Sequence, residues 1–578
     1  MNKEILALVD FIDEDGCHTR RTFRRPAAVI VASELTQVVD AVKAAESASV
    51  NGRYVVGFIS YEAAPAFDPA LKVKRQSNFP LAWFAAFDKP VINEPETVLH
   101  QPPAVIWSPE ISRTCYDAGF TRVHDAIAAG ETYQANYTFR LRAAFEGDPL
   151  AYYNYLLAAH PTPYAAYLNI GPYSIVSNSP ELFLRLSVGA VSTEPMKGTI
   201  RRGRYPVEDE LNKAALVHSE KDLAEHVMIV DLMRSDLGKV AKVGTVTASP
   251  LFRTRSLPTV WQMVSTITCD LQPDVGFLEL LKAAFPPGSV TGAPKARTME
   301  ILTEVESSER KLYCGAMGYL APGGRGVLNV PIRTVIIDNE TMEAECGVGG
   351  GITAGSLVED EYAEASAKSS FLYSRRIEFE LLESMLLENG IIFLLDRHLL
   401  RLADAAKYFG FDIDLKSIEY RLNEFATLRN TETLKVRLTV SIRGDVQIST
   451  SEIGKSETKT VALACRPIDI DTPFVFFKTT NRSFYDGFKS EHAEAYDVLL
   501  WNEDGLVTEF TTGNVVMEVD SVRCTPPVAC GLLAGTMRSH LIETGEIVER
   551  DLKVSDIAAA QHIWLINSVR GWMPVQFK

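Results

Sequence analysis

SPELFLRLSVGAVSTEPMKGT, residues 179–199, sets the plan of the first part of this chain. Leu182, Leu184 and Leu186 alternate with other side chains and Gly189 punctuates the middle. That spacing predicts two short strands, Glu181 to Ser187 and Val191 to Met196, joined as a hairpin. In a hairpin centred on Gly189, the numbers of opposed residues sum to a constant, which sets Glu181 across from Lys197 on one face. Cross-strand partners have Cβ atoms about 4.5–5.5 Å apart, near enough for an acid and an amine to act on one small molecule. A two-residue turn would shift the pairing by one residue and separate them, and the same pattern also fits a surface ion pair.

The chain has 578 residues, too many for one ordinary core, and its length suggests about three or four packing units. Hydrophobic content of 46%, charged content of 23% and a mean hydropathy of +0.01 are globular values. A net charge of -16 argues against nucleic-acid binding, which needs clustered Lys and Arg. The eight cysteines show no CxxC and no Cys/His spacing suited to zinc, so they are expected to be reduced thiols. The N-terminal residues lack a signal-peptide pattern and no apolar run of membrane-spanning length occurs, so a cytoplasmic protein without a membrane partner is expected.

Along the chain, strands at Tyr54 to Ser60 and Leu81 to Phe87 alternate with a helical pattern at Leu35 to Ser49. Pro- and Glu-rich residues 93–103 are expected to be a loop, followed by a helix from Ser112 to Gly130 and a strand from Ala135 to Ala144. Residues 215–237 have helical period, with Gly238 as the expected C-terminal cap and Glu225 beside His226 in the middle. Pro-Pro-Gly and Thr-Gly in FPPGSVTGAPKARTM, residues 285–299, force turns before a helix at Arg297 to Glu306. Tyr313 to Leu320 and Leu328 to Ile337 are expected to form a hairpin around APGGRG. GVGGG, residues 347–351, is read as a flexible stretch whose backbone N–H groups approach an anion. On the helix that follows, Glu361, Glu364 and Lys368 share one face at i, i+3 and i+7, as a charged stripe exposed to solvent would as well. Near residue 378 the texture changes to strand, Asn389-Gly390 turn, strand and helix, the start of a fresh domain after a short linker.

Residues 1–375 resemble the chorismate-utilising enzymes, the family of anthranilate, isochorismate and aminodeoxychorismate synthases. SPELF, PMKGT, EKDLAEHVMIVDLMRSDLG, PPGSVTGAPKARTMEIL, GAMGYL, IRT, GVGGGIT and EDEYAEASAK carry the resemblance, in the family's order. It implies an α+β fold with a large β core around a chorismate site and Mg2+ held by Glu225, Glu361 and Glu364, in keeping with that ion's taste for a few carboxylates, substrate oxygens and water. It also places Thr291, Gly292, Arg333, Gly349, Gly350 and Lys368 around the substrate carboxylates. Lys197 in PMKGT is the family's mark of the aminodeoxychorismate type, where anthranilate synthase-like members have a small residue. The implied mechanism has Lys197 attack ring carbon 2 while Glu181 protonates the departing 4-hydroxyl, after which ammonia enters at carbon 4. Such a lysine must be neutral and such an acid protonated near neutral pH, which burial and neighbouring charge would have to arrange.

Residues 379–578 resemble the class IV fold of pyridoxal-phosphate enzymes, a two-lobed α/β fold with the cofactor between the lobes. LLDRHLLRL, FFKTTNRSFYD, VTEFTTGNVV and GLLAGTMRSHL carry this likeness. It implies Lys478 as the Schiff-base lysine, Glu509 as the partner of the pyridine nitrogen, and Arg401, Gly535 and Thr536 as the phosphate cradle. TEFTTGN departs from the family's commoner small-residue run after the Glu. Together the two halves imply synthesis of 4-amino-4-deoxychorismate and its cleavage to 4-aminobenzoate and pyruvate, a folate precursor route. An anthranilate-forming first half and an aminotransferase second half are the alternatives. None of the cysteines sits in a Gly-x-Cys-x-Gly-type turn, so ammonia is expected from solution or from a separate glutamine amidotransferase. Oligomeric state is open, a homodimer through the C-terminal domain included.

Overall fold

The computed structural model describes residues 5–13, 15–93, 105–373, 377–453 and 458–578. Most of the expected 93–103 loop and the expected linker lie outside these. The chain divides into two compact units, Met1–Arg201 with Lys213–Arg376, and Arg202–Asn212 with Ile377–Lys578.

Two antiparallel sheets, of ten and nine strands among the described residues, build the first unit. Period-two alternation explains how they stack. Along Leu6–Ile12, Ala7, Val9 and Phe11 point into a core shared with Val56, Phe58, Trp83 and Met317 of the other sheet, whereas Leu8 points out to helix Arg113–Ala128 and its neighbours. Helices Leu35–Val50, Glu220–Gly238 and Phe277–Ala284 cover the outer side of the nine-stranded sheet. Because the two sheets bury one common interface, a length that would suggest more units folds here as one.

Four expectations need correction. First, the turn after Leu182–Ser187 holds only Val188 and Gly189, with Gly189 at φ 74°, and Ser187 pairs with Ala190. A bulge then brings Leu182 opposite Glu194, and Pro195 ends that strand, so Lys197 is not the hairpin partner of Glu181. Met196–Arg201 instead pairs with Val260–Val264 in a separate three-stranded sheet. Second, residues 215–237 are not one helix: Pro206–His218 and Glu220–Gly238 break at Ser219, whose side chain accepts from the N–H of Asp222 at 3.3 Å, and Gly238 is the last helical residue. Third, APGGRG joins Ala316–Ala321 to Arg325–Asn329, but the next strand, Thr334–Asp338, belongs to the other sheet. The chain crosses between sheets there, and Arg333 takes φ 50° at the crossover. Fourth, GVGGG lies inside strand Glu343–Ile352, paired residue for residue with Ala144 back to Ala135.

In the second unit, a four-stranded antiparallel sheet with helices Leu395–Phe409 and Leu415–Thr427 forms one lobe, and an eight-stranded mixed sheet forms the other. The Asn389-Gly390 turn has φ of 51° and 79°, the pair of positive values that a two-residue hairpin of matching twist requires.

Candidate active sites

A cavity of about 310 Å3 in the first unit is lined by Glu181, Lys197, Glu225, Arg333, Gly349, Glu361, Glu364 and Lys368, among others. Glu181 and Lys197 therefore meet across a cavity rather than across a hairpin. Glu181 is 3% exposed, and its Oε1 accepts from Ser289 Oγ at 2.5 Å. Burial pushes its carboxyl up to about 7, against the opposing pull of Ser289, the Met196 backbone and Lys197. Lys197 Nζ lies 3.1 Å from Glu225 Oε2. The neighbouring His226, fully buried, bonds through Nδ1 to the Lys197 carbonyl oxygen at 3.1 Å and through Nε2 to Ser265 Oγ at 2.7 Å. That link fastens the lysine's strand to helix Glu220–Gly238.

The glycine run is there for space. A Cβ at Gly351 would come within 2.5 Å of Lys197 Nζ, and one at Gly350 within 2.9 Å of Glu361 Oε2. Thr334–Asp338 pairs with Glu343–Ile352 only as far as Cys346, so from Gly347 onward that edge carries no strand among the described residues. Lys368 Nζ reaches it, donating to the Gly349 carbonyl at 3.0 Å. Arg333, whose burial lowers it to about 10, has no hydrogen-bond or ion-pair partner for its guanidinium among the described residues. A half-buried, unpaired fork in a cavity is suited to a carboxylate. Thr291 and Gly292 stand outside the lining: Thr291 Oγ1 is spent on Pro287 and Gly288 carbonyls, and a Cβ at Gly292 would strike the Gln134 carbonyl at 2.1 Å.

Glu361 donates nothing and accepts once, from Ser356 Oγ at 2.6 Å, while its Oε2 is buried without a partner. Burial, with Glu364 close by, raises its carboxyl. Burial would raise Glu364 too, but Lys368 at 2.8 Å and Lys197 hold it below its ordinary value. Among the described residues no three His, Cys, Asp or Glu side chains converge as a metal cage. An orphaned carboxylate oxygen beside a second carboxylate nevertheless fits Mg2+, which is held by one or two carboxylates and completes its shell with substrate and water.

A second cavity, of about 240 Å3, lies between the lobes of the second unit and is lined by Lys478, Glu509, Arg401, Gly535 and Thr536. Lys478 is half-buried as a residue, and the desolvation of its amine lowers it to about 7, with Arg401 acting in the same direction. Glu509 is 3% exposed and accepts from Tyr485 Oη at 2.5 Å and Asn514 Nδ2 at 3.3 Å. Burial pushes it up to about 8. Arg401 grips Glu383 through Nε at 2.9 Å and Nη2 at 2.6 Å, His398 Nδ1 takes Glu383 at 2.6 Å, and His398 Nε2 lies 3.3 Å from Thr536 Oγ1. Burial of Glu383 is outweighed by the Arg401 charge and by the contact with His398, which bring it to about 2. Thr536 opens helix Thr536–Glu543, and a Cβ at Gly535 would lie 2.0 Å from Asn514 Oδ1. A helix N-terminus beside a held arginine is a fitting phosphate receptor, and a buried acid needing a positive partner fits a protonated ring nitrogen.

Residues 91–374 match the family model described as chorismate binding enzyme, and residues 380–576 the one described as amino-transferase class IV. The chain joins a chorismate-binding domain to a class IV aminotransferase domain. Aminodeoxychorismate synthase component 1 of Salmonella typhimurium is 40% identical over 262 residues, 45% of this chain and 57% of that protein. Aminodeoxychorismate synthase of Streptomyces griseus is 44% identical over 245 residues, 42% of this chain and 34% of that protein. The chain thus matches only part of the length of these curated relatives. Among solved structures, anthranilate synthase component I from Streptococcus pneumoniae TIGR4 superposes with a TM-score of 0.52 at 23% identity, covering 64% of this chain and 93% of that one, a likeness of fold. No helix among the described residues is long and apolar enough to cross a membrane.

Sequence reasoning passed over several supporting residues. Ser289 sat in the quoted Pro-Pro-Gly turn, whose hydroxyl was the available signal. Arg310 gave no local signal: 1% exposed, it pairs with Glu306 at 2.6 Å and donates to the carbonyls of Val290 at 2.9 Å and Asn136 at 2.7 Å, both of which line the chorismate-binding domain's cavity. Arg310→Met should cost about 3–5 kcal/mol in urea unfolding, since it strands Glu306 as a buried charge. In the class IV domain, Asp497 pins the unusual TTG run, accepting from the Thr511 N–H at 2.9 Å and Thr511 Oγ1 at 2.6 Å.

Proposed function

We propose that the chain converts chorismate and ammonia to 4-amino-4-deoxychorismate in its first unit and removes the enolpyruvyl group in its second, giving 4-aminobenzoate and pyruvate. The observation that carries the reading is the meeting of Lys197 and the protonatable Glu181 in one cavity with the unpaired Arg333. Lys197 Nζ forms a bond to ring carbon 2 as the carbon 4–oxygen bond breaks, and Glu181 gives its proton so that the hydroxyl leaves as water. Ammonia then bonds to carbon 4, the carbon 2–nitrogen bond breaks, and Lys197 is regenerated. Arg333 and the open edge from Gly347 hold the substrate carboxylates. Glu361 and Glu364, with Glu225 across the cavity, would hold Mg2+, which when bound supplies positive charge against the ring carboxylate.

In the second unit, pyridoxal phosphate when bound supplies an electron sink at the amine-bearing carbon. Arg401, Gly535 and Thr536 would hold its phosphate and Glu509 its ring nitrogen. Lys478 removes the proton from carbon 4, the carbon 3–oxygen bond breaks, and the departing enol takes up a proton to become pyruvate. The match of residues 380–576 to the aminotransferase family favours one other reading, amino transfer to a 2-oxo acid. Ammonia is supplied by a separate glutaminase, as the name component 1 of the Salmonella relative suggests for that protein. Glutamine-dependent turnover by the purified chain alone would count against such a partner.

The test is incubation of the purified chain with chorismate, Mg2+, ammonium and pyridoxal phosphate, with product identified by mass. 4-Aminobenzoate supports the reading; 2-aminobenzoate would remove the first step, and 2-oxo acid turnover without 4-aminobenzoate the second. Since Glu181 must carry its proton, the synthase rate at constant free ammonia should fall as pH rises past about 7, the value set by its burial. Glu181→Gln should lower that rate by about 10²–10⁴-fold and abolish this limb of the profile.

A further inference from the structure

Besides Arg482, which donates to a backbone carbonyl, three cations in the second cavity are used neither by the phosphate cradle nor by lysine chemistry: Lys435, Arg437 and Arg570. Lys435 and Arg437 stand two residues apart on strand Thr433–Val440, hence on one face, and the register sets Arg437 opposite Ser384, which also lines the cavity. Arg570 comes from the other lobe, at the tip between His562–Asn567 and Gly571–Phe577. That tip is shaped by Asn567 Oδ1, which accepts from the N–H of Val569 at 3.1 Å and of Arg570 at 2.9 Å, and Ser568 Oγ ties it to the Ser384 carbonyl at 3.4 Å.

Among the described residues none of the three side chains has an ion pair or a hydrogen bond. The acid in the wall is committed elsewhere, Glu509 to Tyr485 and Asn514, while Arg401 is neutralised by Glu383 and Arg482 donates to the Thr511 carbonyl at 2.6 Å. Burial, and then Arg570, Arg437 and Arg482, lower the Lys435 amine, so these charges bear on one another. Uncompensated like charges focused in a cleft attract an anion. One arginine fork would satisfy one carboxylate; three cations suit a dianion.

We propose that Lys435, Arg437 and Arg570 receive substrate carboxylates remote from the reacting amine, making this cavity selective for dicarboxylic amino compounds. This deepens the lyase reading and rests on it, since 4-amino-4-deoxychorismate carries two carboxylates and neither is attached to the carbon that bears its amine. The probes are isophthalate and benzoate, tested on the full chain loaded with pyridoxal phosphate, by competition with supplied aminodeoxychorismate and by their perturbation of the cofactor's absorption. The parent should bind isophthalate at least about tenfold more tightly than benzoate, and a Lys435→Met, Arg570→Gln double variant should lose that preference. The variant's defect with aminodeoxychorismate should fall on KM, by about tenfold or more, rather than on kcat. A preference retained in the double variant, or absent in the parent, overturns the proposal. Should the double variant fail to load cofactor, Arg570→Lys and Lys435→Met taken singly must each reduce the preference, or the proposal falls. If the chain makes a 2-oxo acid from an amino donor and no 4-aminobenzoate, the lyase reading fails while the isophthalate preference still decides this one.

Discussion

Lys478→Ala should consume chorismate with ammonia at the parental rate and accumulate aminodeoxychorismate, while 4-aminobenzoate formation falls by about 10²–10⁴-fold. On the proposed reading the amine of Lys478, which burial lowers to about 7, takes the carbon 4 proton, and alanine removes that amine together with the proposed attachment point of the cofactor. Its cavity and that of Lys197 share no lining residue, and sites without shared partners behave nearly independently. Borohydride should fix pyridoxal phosphate to the parent chain and not to the variant. Undiminished 4-aminobenzoate formation by Lys478→Ala would end the lyase reading.

Lys197→Ala should do the reverse. Chorismate consumption by the aminodeoxychorismate route should drop by at least about 10²–10⁴-fold, whereas supplied aminodeoxychorismate should still become 4-aminobenzoate at the parental rate. The variant also leaves Glu225 without its partner at 3.1 Å, so a thermal melt should accompany the assay. If the melt is unchanged and aminodeoxychorismate is still formed at speed, Lys197 is no nucleophile and the first unit works by another route.

Much of the second unit could be read locally. Asn389-Gly390 demands a tight turn because both residues accept positive φ, and the helical period after Leu395 follows from adjacent positions alone. Ser219 shows the opposite case. The apolar period runs straight through it, yet its hydroxyl caps a new helix, and a hydroxyl competing for backbone N–H groups leaves no mark on hydrophobic period. The glycine run misled for a related reason: glycine permits a flexible loop, but here each missing side chain makes room for a neighbour supplied by another part of the chain, Lys197 at Gly351 and Glu361 at Gly350.

By itself the sequence determined the alternating strands, the motif order that pointed to chorismate and pyridoxal-phosphate chemistry, and the identity of the groups Glu181, Lys197, Lys478 and Glu509. These rest on side-chain type and on short-range periodicity, which a chain carries wherever it goes. Tertiary structure alone decided how those groups meet. A two-residue turn and a bulge took Lys197 out of the hairpin, and burial, outweighing the opposing pull of Ser289, the Met196 backbone and Lys197, gave Glu181 its raised carboxyl. Arg333 acquired its unpaired place at a crossover between sheets, and Lys435, Arg437 and Arg570 came together from two lobes. Register, burial and charge convergence depend on closures between residues far apart in the chain, and no local pattern encodes their outcome.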